Sequence, residues 1–110
     1  MGNVKVVTDE SFDREVLAEA GTVLVEFGAT WCPPCRALEP ILETVARERA
    51  GSLKVVAVDM DASPGTSNRY GVRAAPTLVV FRRGEKVASH VGAVPKAKVL
   101  ALVDGSAASR

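Results

Sequence analysis

Cys32 and Cys35 are the only two cysteines in this chain of 110 residues, and only Pro33 and Pro34 separate them. A near-continuous apolar run, Val23 to Phe27, comes just before the pair, and an amphipathic helical pattern comes just after it. Two thiols held between a strand and a helix can form a reversible disulfide where a thiolate is stabilised. A permanent bridge between residues three apart would close a tiny loop and constrain the unfolded chain little. The pair therefore reads as redox-active or metal-binding, with an inert structural pair as the alternative. His90 is the single histidine, so two Cys and one distant His cannot complete a tetrahedral zinc site within one chain. A metal or iron–sulfur centre would have to join the pairs of two chains. No Ser–His–Asp set is legible, and no glycine-rich phosphate loop is present, so reducing equivalents must arrive from another protein.

Composition narrows the partners. Charged residues make up 25% of the chain and the net charge is +1, with no Lys/Arg cluster on one helix face and only one Trp, one Tyr and three Phe. That excludes an obvious nucleic-acid surface. No apolar run reaches the roughly 20 residues of a membrane span. The start, Met1 to Val6, lacks a basic region followed by a long apolar stretch, so no signal peptide is expected and the cytoplasm is the predicted compartment. Gly2 does not make a myristoylation signal, because Val6 stands where Ser or Thr is needed. The hydrophobic share of 47% fills one core, which fits a single domain over residues 1–110 with a frayed tail at about 106–110.

The elements that must hold the thiols follow from periodicity. Val4 to Val7 is a short strand. Thr8 is a plausible N-cap for a first helix, with Asp9 and Glu10 in its first turn, Phe12, Val16 and Leu17 on its apolar face and Gly21 as terminator. Thr22 to Gly28 is apolar on both faces, as a buried central strand requires, except that Glu26 interrupts it. A second helix runs from the cysteine pair to about Ala50, with Leu38, Ile41, Leu42 and Val45 as its buried stripe and a kink expected at Pro40. Leu53 to Val58 is a strand, Ser63-Pro64-Gly65 a turn, and a short helix ends near Tyr70-Gly71. Thr77 to Phe81 and Lys86 to Val91 form a hairpin about Arg83-Gly84-Glu85, and Pro95 opens a last helix. The order βαβαβαββα predicts an α/β fold: a mixed, roughly five-stranded sheet with a late antiparallel edge and helices on both faces. His90 falls on the edge strand and is expected at the surface.

With the elements in this order the chain resembles thioredoxins over nearly its full length. Ser11-Phe12-Asp13, Val25-Glu26-Phe27, Trp31-Cys32-Pro33-Pro34-Cys35, Pro40-Ile41-Leu42, Asp59-Met60-Asp61, Pro64-Gly65, Tyr70-Gly71-Val72, Ala75-Pro76-Thr77, Phe81, Gly84 and Val91-Gly92 follow that family's order and spacing. The resemblance implies the thioredoxin fold and a thiol–disulfide oxidoreductase, acting as a general reductase of protein disulfides. It implies a monomer without cofactor, whose Cys32–Cys35 pair is recharged by an NADPH-linked flavoprotein, a thioredoxin reductase. A disulfide oxidase or isomerase, or a non-catalytic binding module, is the competing reading. The chain departs from the family's commonest pattern at Pro33 (usually Gly), Glu26 (usually a buried Asp), Gly28 (usually a large aromatic) and Ala57 (Lys in some members).

Carried over residue by residue, the resemblance makes Cys32 the nucleophile at a helix start and Cys35 the resolving thiol. Unpaired N–H groups and the helix dipole favour an anion at such a start. Pro33 and Pro34 withdraw two possible donors from that thiolate and stiffen the loop, which predicts a couple at or below the usual potential. Glu26 is implied to accept and return the Cys35 proton; its alternative is to reach solvent or Lys54. Pro76 resembles the family's cis-proline, with the Ala75 backbone offered to an extended substrate segment; the alternative is an ordinary trans turn. Trp31, Gly71, Val72, Ala74, Ala75, Gly92 and Ala93 are expected to form an apolar collar around Cys32, although Trp31 could be plain packing.

Overall fold

Strand alternation decides which side chains can meet the cysteines. The computed structural model describes residues 2–108, and side chains within residues 2–105. Its elements are β1 (Lys5–Val7), one turn of π-helix (Asp13–Leu17), β2 (Thr22–Gly28), α1 (Pro33–Glu48), β3 (Leu53–Asp59), α2 (Pro64–Arg69), β4 (Thr77–Arg82), β5 (Glu85–Val91) and α3 (Lys96–Ala108). The five strands form one sheet in the order β1-β3-β2-β4-β5. β1 and β2 run parallel to β3, β4 is antiparallel to β2, and β5 is antiparallel to β4. The mixed sheet and its late hairpin are as the element order predicts.

Each sheet face carries its own core. On one face Leu24, Val55, Leu78 and Val80 pack under Leu38, Leu42 and Val45 of α1 and Val99 and Val103 of α3. On the other, Val23, Val25, Phe27, Val56, Val58 and Phe81 pack against Phe12, Val16 and Tyr70. Phe12, Tyr70 and Phe81 meet there with ring centroids 5.2 to 5.7 Å apart. Because β2 alternates with a period of two, Glu26 and Gly28 share the face of Leu24, beneath α1. Arg49 at the end of α1 grips Asp104 of α3 with two hydrogen bonds of 2.9 and 2.8 Å.

The first helix differs from expectation. Ser11 and Phe12 N–H groups donate to the Thr8 carbonyl in a turn, and only Asp13–Leu17 is helical, closed by Ala18 N–H to the Asp13 carbonyl at 2.9 Å. Asp9 does not serve that helix at all. Its carboxylate accepts from Gly65 N–H at 3.0 Å, Thr66 N–H at 2.7 Å and the Thr66 hydroxyl at 2.6 Å. It thus caps α2, where Ser63 offers no side-chain cap of its own. The Thr66 hydroxyl and N–H hold the Asp9 carboxyl below its ordinary value. A depressed carboxyl adds stability above its unfolded pKa and loses it as pH falls through the folded one. Asp9→Ala is therefore expected to lower Tm by a few degrees at neutral pH, with the gap closing in acid, as a pH series of thermal melts would record.

Three further differences have plain causes. The β4–β5 turn is the two residues Arg83 and Gly84 alone, both with positive φ (53° and 79°), and Glu85 already pairs with Arg82. Such left-handed pairs match the twist of a two-residue hairpin. An ideal Cβ at Gly84 would also stand 2.6 Å from the Leu17 carbonyl oxygen. His90 is half-buried rather than at the surface: it pairs with Leu78 in register, on the face that α3 covers, and lines a cavity with Val94, Lys98 and Leu102. An edge strand is open in the plane of the sheet, not on a face a helix occupies. The tail expected at 106–110 joins α3 through Ala108, and Ser109 and Arg110 lie outside the described residues. Pro40 lies inside α1 without ending it.

Candidate active site

The cysteine pair sits where β2 hands over to α1. Cys32 is in extended backbone (φ −102°, ψ 105°) and occupies the N-cap of α1. Arg36 N–H donates to the Cys32 carbonyl at 3.2 Å, enclosing Pro33, Pro34 and Cys35 in the first turn. The helix thus begins at Pro33, directly after Cys32. Fixed proline φ suits the first helical positions, whose N–H groups have no helical partner. The consequence is electrostatic. Neither proline has an N–H, so Cys35 N–H is the donor that reaches Cys32 Sγ, at 3.2 Å.

Cys32 and Cys35 are joined as a disulfide, with Cα atoms 5.3 Å apart. Each residue is only 2% exposed. Cys32 Sγ lies 3.6 Å from the Ala75 carbonyl oxygen. With the disulfide closed there is no S–H to donate, so this is a contact; in the dithiol the same carbonyl can accept from the thiol. The Ala75–Pro76 peptide bond is cis. Gly92 N–H donates to the Pro76 carbonyl at 2.8 Å, and the Thr77 hydroxyl donates to the Ala74 carbonyl at 2.6 Å, fixing this loop beside the disulfide.

Of the collar, Trp31, Gly71, Ala74 and Ala93 are exposed, and Ala75 and Gly92 half-buried. Val72 is not part of that surface; it is 8% exposed and belongs to the core under Phe12 and Tyr70. Trp31, 67% exposed, donates its indole N–H to Asp61 Oδ2 at 2.7 Å. Nothing in the sequence pairs these two residues. They meet because Asp61 follows β3 and Trp31 follows β2, and these strands are parallel neighbours with Gly28 opposite Asp59.

Glu26 is 5% exposed, and burial pushes its carboxyl up from 4.5 to about 7, with the Glu39 charge adding to the rise. Lys54 is not its partner. The Lys54 ammonium donates to the Glu15 carboxylate and carbonyl at 2.8 and 2.7 Å, and lies 3.5 Å from Glu19. Glu26 instead borders an open cavity of about 180 Å³, shared with Cys35, Gly28, Ala57, Glu39 and Asp59. Gly28 makes this possible, since a Cβ there would collide with the Glu26 carboxyl. Among the described residues, no group of three or more His, Cys, Asp or Glu side chains is arranged to hold a metal ion, and no helix is long and apolar enough to cross a membrane.

A reducible disulfide at a helix start, backed by a buried acid of raised pKa, has the parts for thiol–disulfide exchange. Comparisons with known proteins point the same way. The family model described as thioredoxin matches residues 3–105. The chain is 44% identical over 97 residues to thioredoxin C-2 of Corynebacterium nephridii, covering 88% of this chain and 90% of that protein. It is 43% identical over 100 residues to a thioredoxin of Pseudomonas aeruginosa, covering 91% and 93%. It is also 44% identical over 97 residues to the chloroplastic M-type thioredoxin of Pisum sativum, spanning 56% of that longer protein.

Proposed function

This chain belongs to the thioredoxin family of thiol–disulfide oxidoreductases, and we propose that it is a general protein-disulfide reductase working through its Cys32-Pro33-Pro34-Cys35 pair. The observation that supports this best is the position of the disulfide: Cys32 Sγ receives the Cys35 N–H at the start of α1 and lies against the Ala75 carbonyl. The reaction runs in two displacements. The Cys32 thiolate attacks a sulfur of the substrate disulfide, and that S–S bond breaks with its electron pair leaving on the second substrate sulfur. Cys35, giving its proton to Glu26, then attacks Cys32 Sγ. The mixed disulfide breaks, reduced substrate departs, and Cys32–Cys35 closes as the two-electron oxidised pair.

In this reading the exposed indole of Trp31 and the Ala75–Pro76 and Gly92 backbone receive an extended stretch of substrate. Substrates are disulfide-containing proteins. The electrons come from a flavoprotein reductase that draws on NADPH, no further cofactor takes part, and the protein acts as a monomer in the cytoplasm. Insulin reduction tests the reading: the protein charged by a dithiol, and separately by NADPH with a thioredoxin reductase, is expected to precipitate reduced insulin chains catalytically. No turnover with either donor would reject it.

The two prolines set the poise. Without N–H groups they withdraw two possible amide donors from Cys32 Sγ, which keeps that of Cys35, and their stiffness leaves the closed ring less entropy to lose. Both effects favour the disulfide. Pro33→Gly restores an amide and loosens the turn, so its couple is expected to be more oxidising by about 30 mV, equivalent to about 1.4 kcal/mol. Equilibration with glutathione buffers measures this. An unchanged or more reducing couple would show that the prolines do not act this way.

A further inference from the structure

Three strands and one helix close around Glu26, and the groups they present can be named from register. Glu26 of β2 stands opposite Ala57 of β3 on one side and Leu78 of β4 on the other, while Ala57 stands opposite Val6 of β1. None of those neighbours carries charge. Asp59 of β3, opposite Gly28, turns one carboxylate oxygen to the Asp61 and Ala62 N–H groups at 2.9 and 3.2 Å. From α1, Cys35 and Glu39 are one helical turn apart and lie on one face, both bordering the cavity. Arg36, between them in sequence, donates to the Thr30 carbonyl at 2.9 Å rather than to the Glu26 carboxylate.

The Glu26 carboxyl therefore shares its cavity with the Glu39 carboxylate, and among the described residues no cation pairs with it. Among the described residues no hydrogen-bond donor or ion pair reaches it, and the charge that acts on it is that of Glu39. Two small residues produce this arrangement. Gly28 leaves the space that the Glu26 carboxyl fills, and Ala57, the β3 partner of Glu26, lines the cavity with only a methyl group. A cavity of about 180 Å³ that is open to solvent and carries the Glu26, Glu39 and Asp59 carboxyls among its mainly apolar walls is roomy enough for several waters. Glu39 is itself exposed, so it stands where that cavity meets solvent.

We propose that Glu39 is a positioning residue for the exchange reaction: its carboxylate, on the Cys35 face of α1, confronts Glu26 across the cavity and governs when Glu26 holds a proton. This rests on Glu26 acting as the base for Cys35. As Cys35 attacks the mixed disulfide, its proton moves to the Glu26 carboxylate, and its electron pair forms the bond to Cys32 Sγ. The leaving substrate sulfur takes the other pair and a solvent proton. Glu26 then returns its proton to bulk water along the cavity, past Glu39. Burial raises the Glu26 carboxyl first and the like charge raises it further, which makes Glu26 a stronger base for the thiol proton near neutral pH.

A charge series at residue 39 tests this on the full, oxidised chain. Carbon-detected NMR titration of the Glu26 carboxyl is expected to give midpoints falling in the order wild type, Glu39→Gln, Glu39→Lys. Each step is about half a pH unit, or about threefold in ionised fraction. The acidic limb of the pH profile of insulin reduction is expected to move with them, and in a Glu26→Gln background Glu39→Gln is expected to leave that profile unmoved. Equal midpoints in all three proteins, equal displacement by Gln and Lys, or a profile still shifted without Glu26 would each overturn the proposal. The titration needs no turnover, so a protein that fails to reduce insulin defeats the reductase reading while the coupling is still measured.

Discussion

Cys32→Ser is expected to bring insulin reduction down to the uncatalysed background, a loss of about a thousandfold or more, while Cys35→Ser is expected to stop at a covalent adduct. Exposure does not distinguish the two sulfurs, since both residues are 2% exposed. Their surroundings do. Cys32 takes the N-cap of α1, accepts the Cys35 N–H and lies against the Ala75 carbonyl, on the side where the Trp31 indole is exposed. Cys35 lies within the first turn of the helix and borders the cavity of Glu26. The first position favours a thiolate that meets incoming disulfides. The second favours a thiol that must be deprotonated on demand. With Ser at 35 the first displacement proceeds and the second cannot, so a mixed disulfide persists; intact-mass spectrometry under non-reducing conditions would weigh it. Full turnover by Cys32→Ser, or no adduct with Cys35→Ser, would reverse or remove the assigned roles.

Much of this site can be read along the chain, because it is written in local terms. A buried strand, a thiol pair, a helix stripe and a Pro-Thr before a hairpin each leave a pattern within a few residues. Contacts made by register leave no such pattern. Asp9 reads as a first-turn acid of its own helix, yet it caps α2, 56 residues away from Gly65. Trp31 finds Asp61 only because β2 and β3 end side by side. His90 reads as an edge residue until α3 is laid over its face.

Glu26 and Gly28 are more instructive. As two separate departures from the family's pattern they look like independent changes. They lie two apart on one strand, hence on one face, and the longer acid occupies the space the missing side chain leaves. A period of two was enough to suspect the pairing. Glu39 was legible in the same way, four residues after Cys35 on the same helix face. Only the packing of α1 over the sheet, however, brings the two acids to one cavity.

Glu26→Gln is expected to make the protein more stable and slower at once. The carboxyl rises from 4.5 to about 7 on folding, so between those values the native state holds a proton that the unfolded state has released. Wherever the native state binds more protons, stability falls as pH increases. The loss therefore begins above about pH 4.5, grows to about pH 7 and is constant beyond it. Its ceiling is about 3 kcal/mol, from about 1.4 kcal/mol per unit. Gln carries no proton to lose, but its amide is buried in the same place at a cost of about 1–2 kcal/mol. The net gain above pH 7 is then about 1–2 kcal/mol, or about 5–10 °C in Tm; it vanishes between about pH 5 and 6, where the linkage term equals the cost of the amide, and reverses in stronger acid. Exchange should slow by about tenfold to a hundredfold, because Cys35 has lost its base, and the loss should fall on the release of reduced substrate rather than on the first attack. Stopped-flow Trp31 fluorescence can follow the two displacements separately, and thermal melts at several pH values supply the stability arm. A Glu26→Gln protein that melted lower than wild type at pH 8 and still exchanged at full rate would leave the acid with neither the burial penalty nor the proton-transfer role. Opposite signs in stability and rate are the signature of a group kept in an unfavourable place for its chemistry.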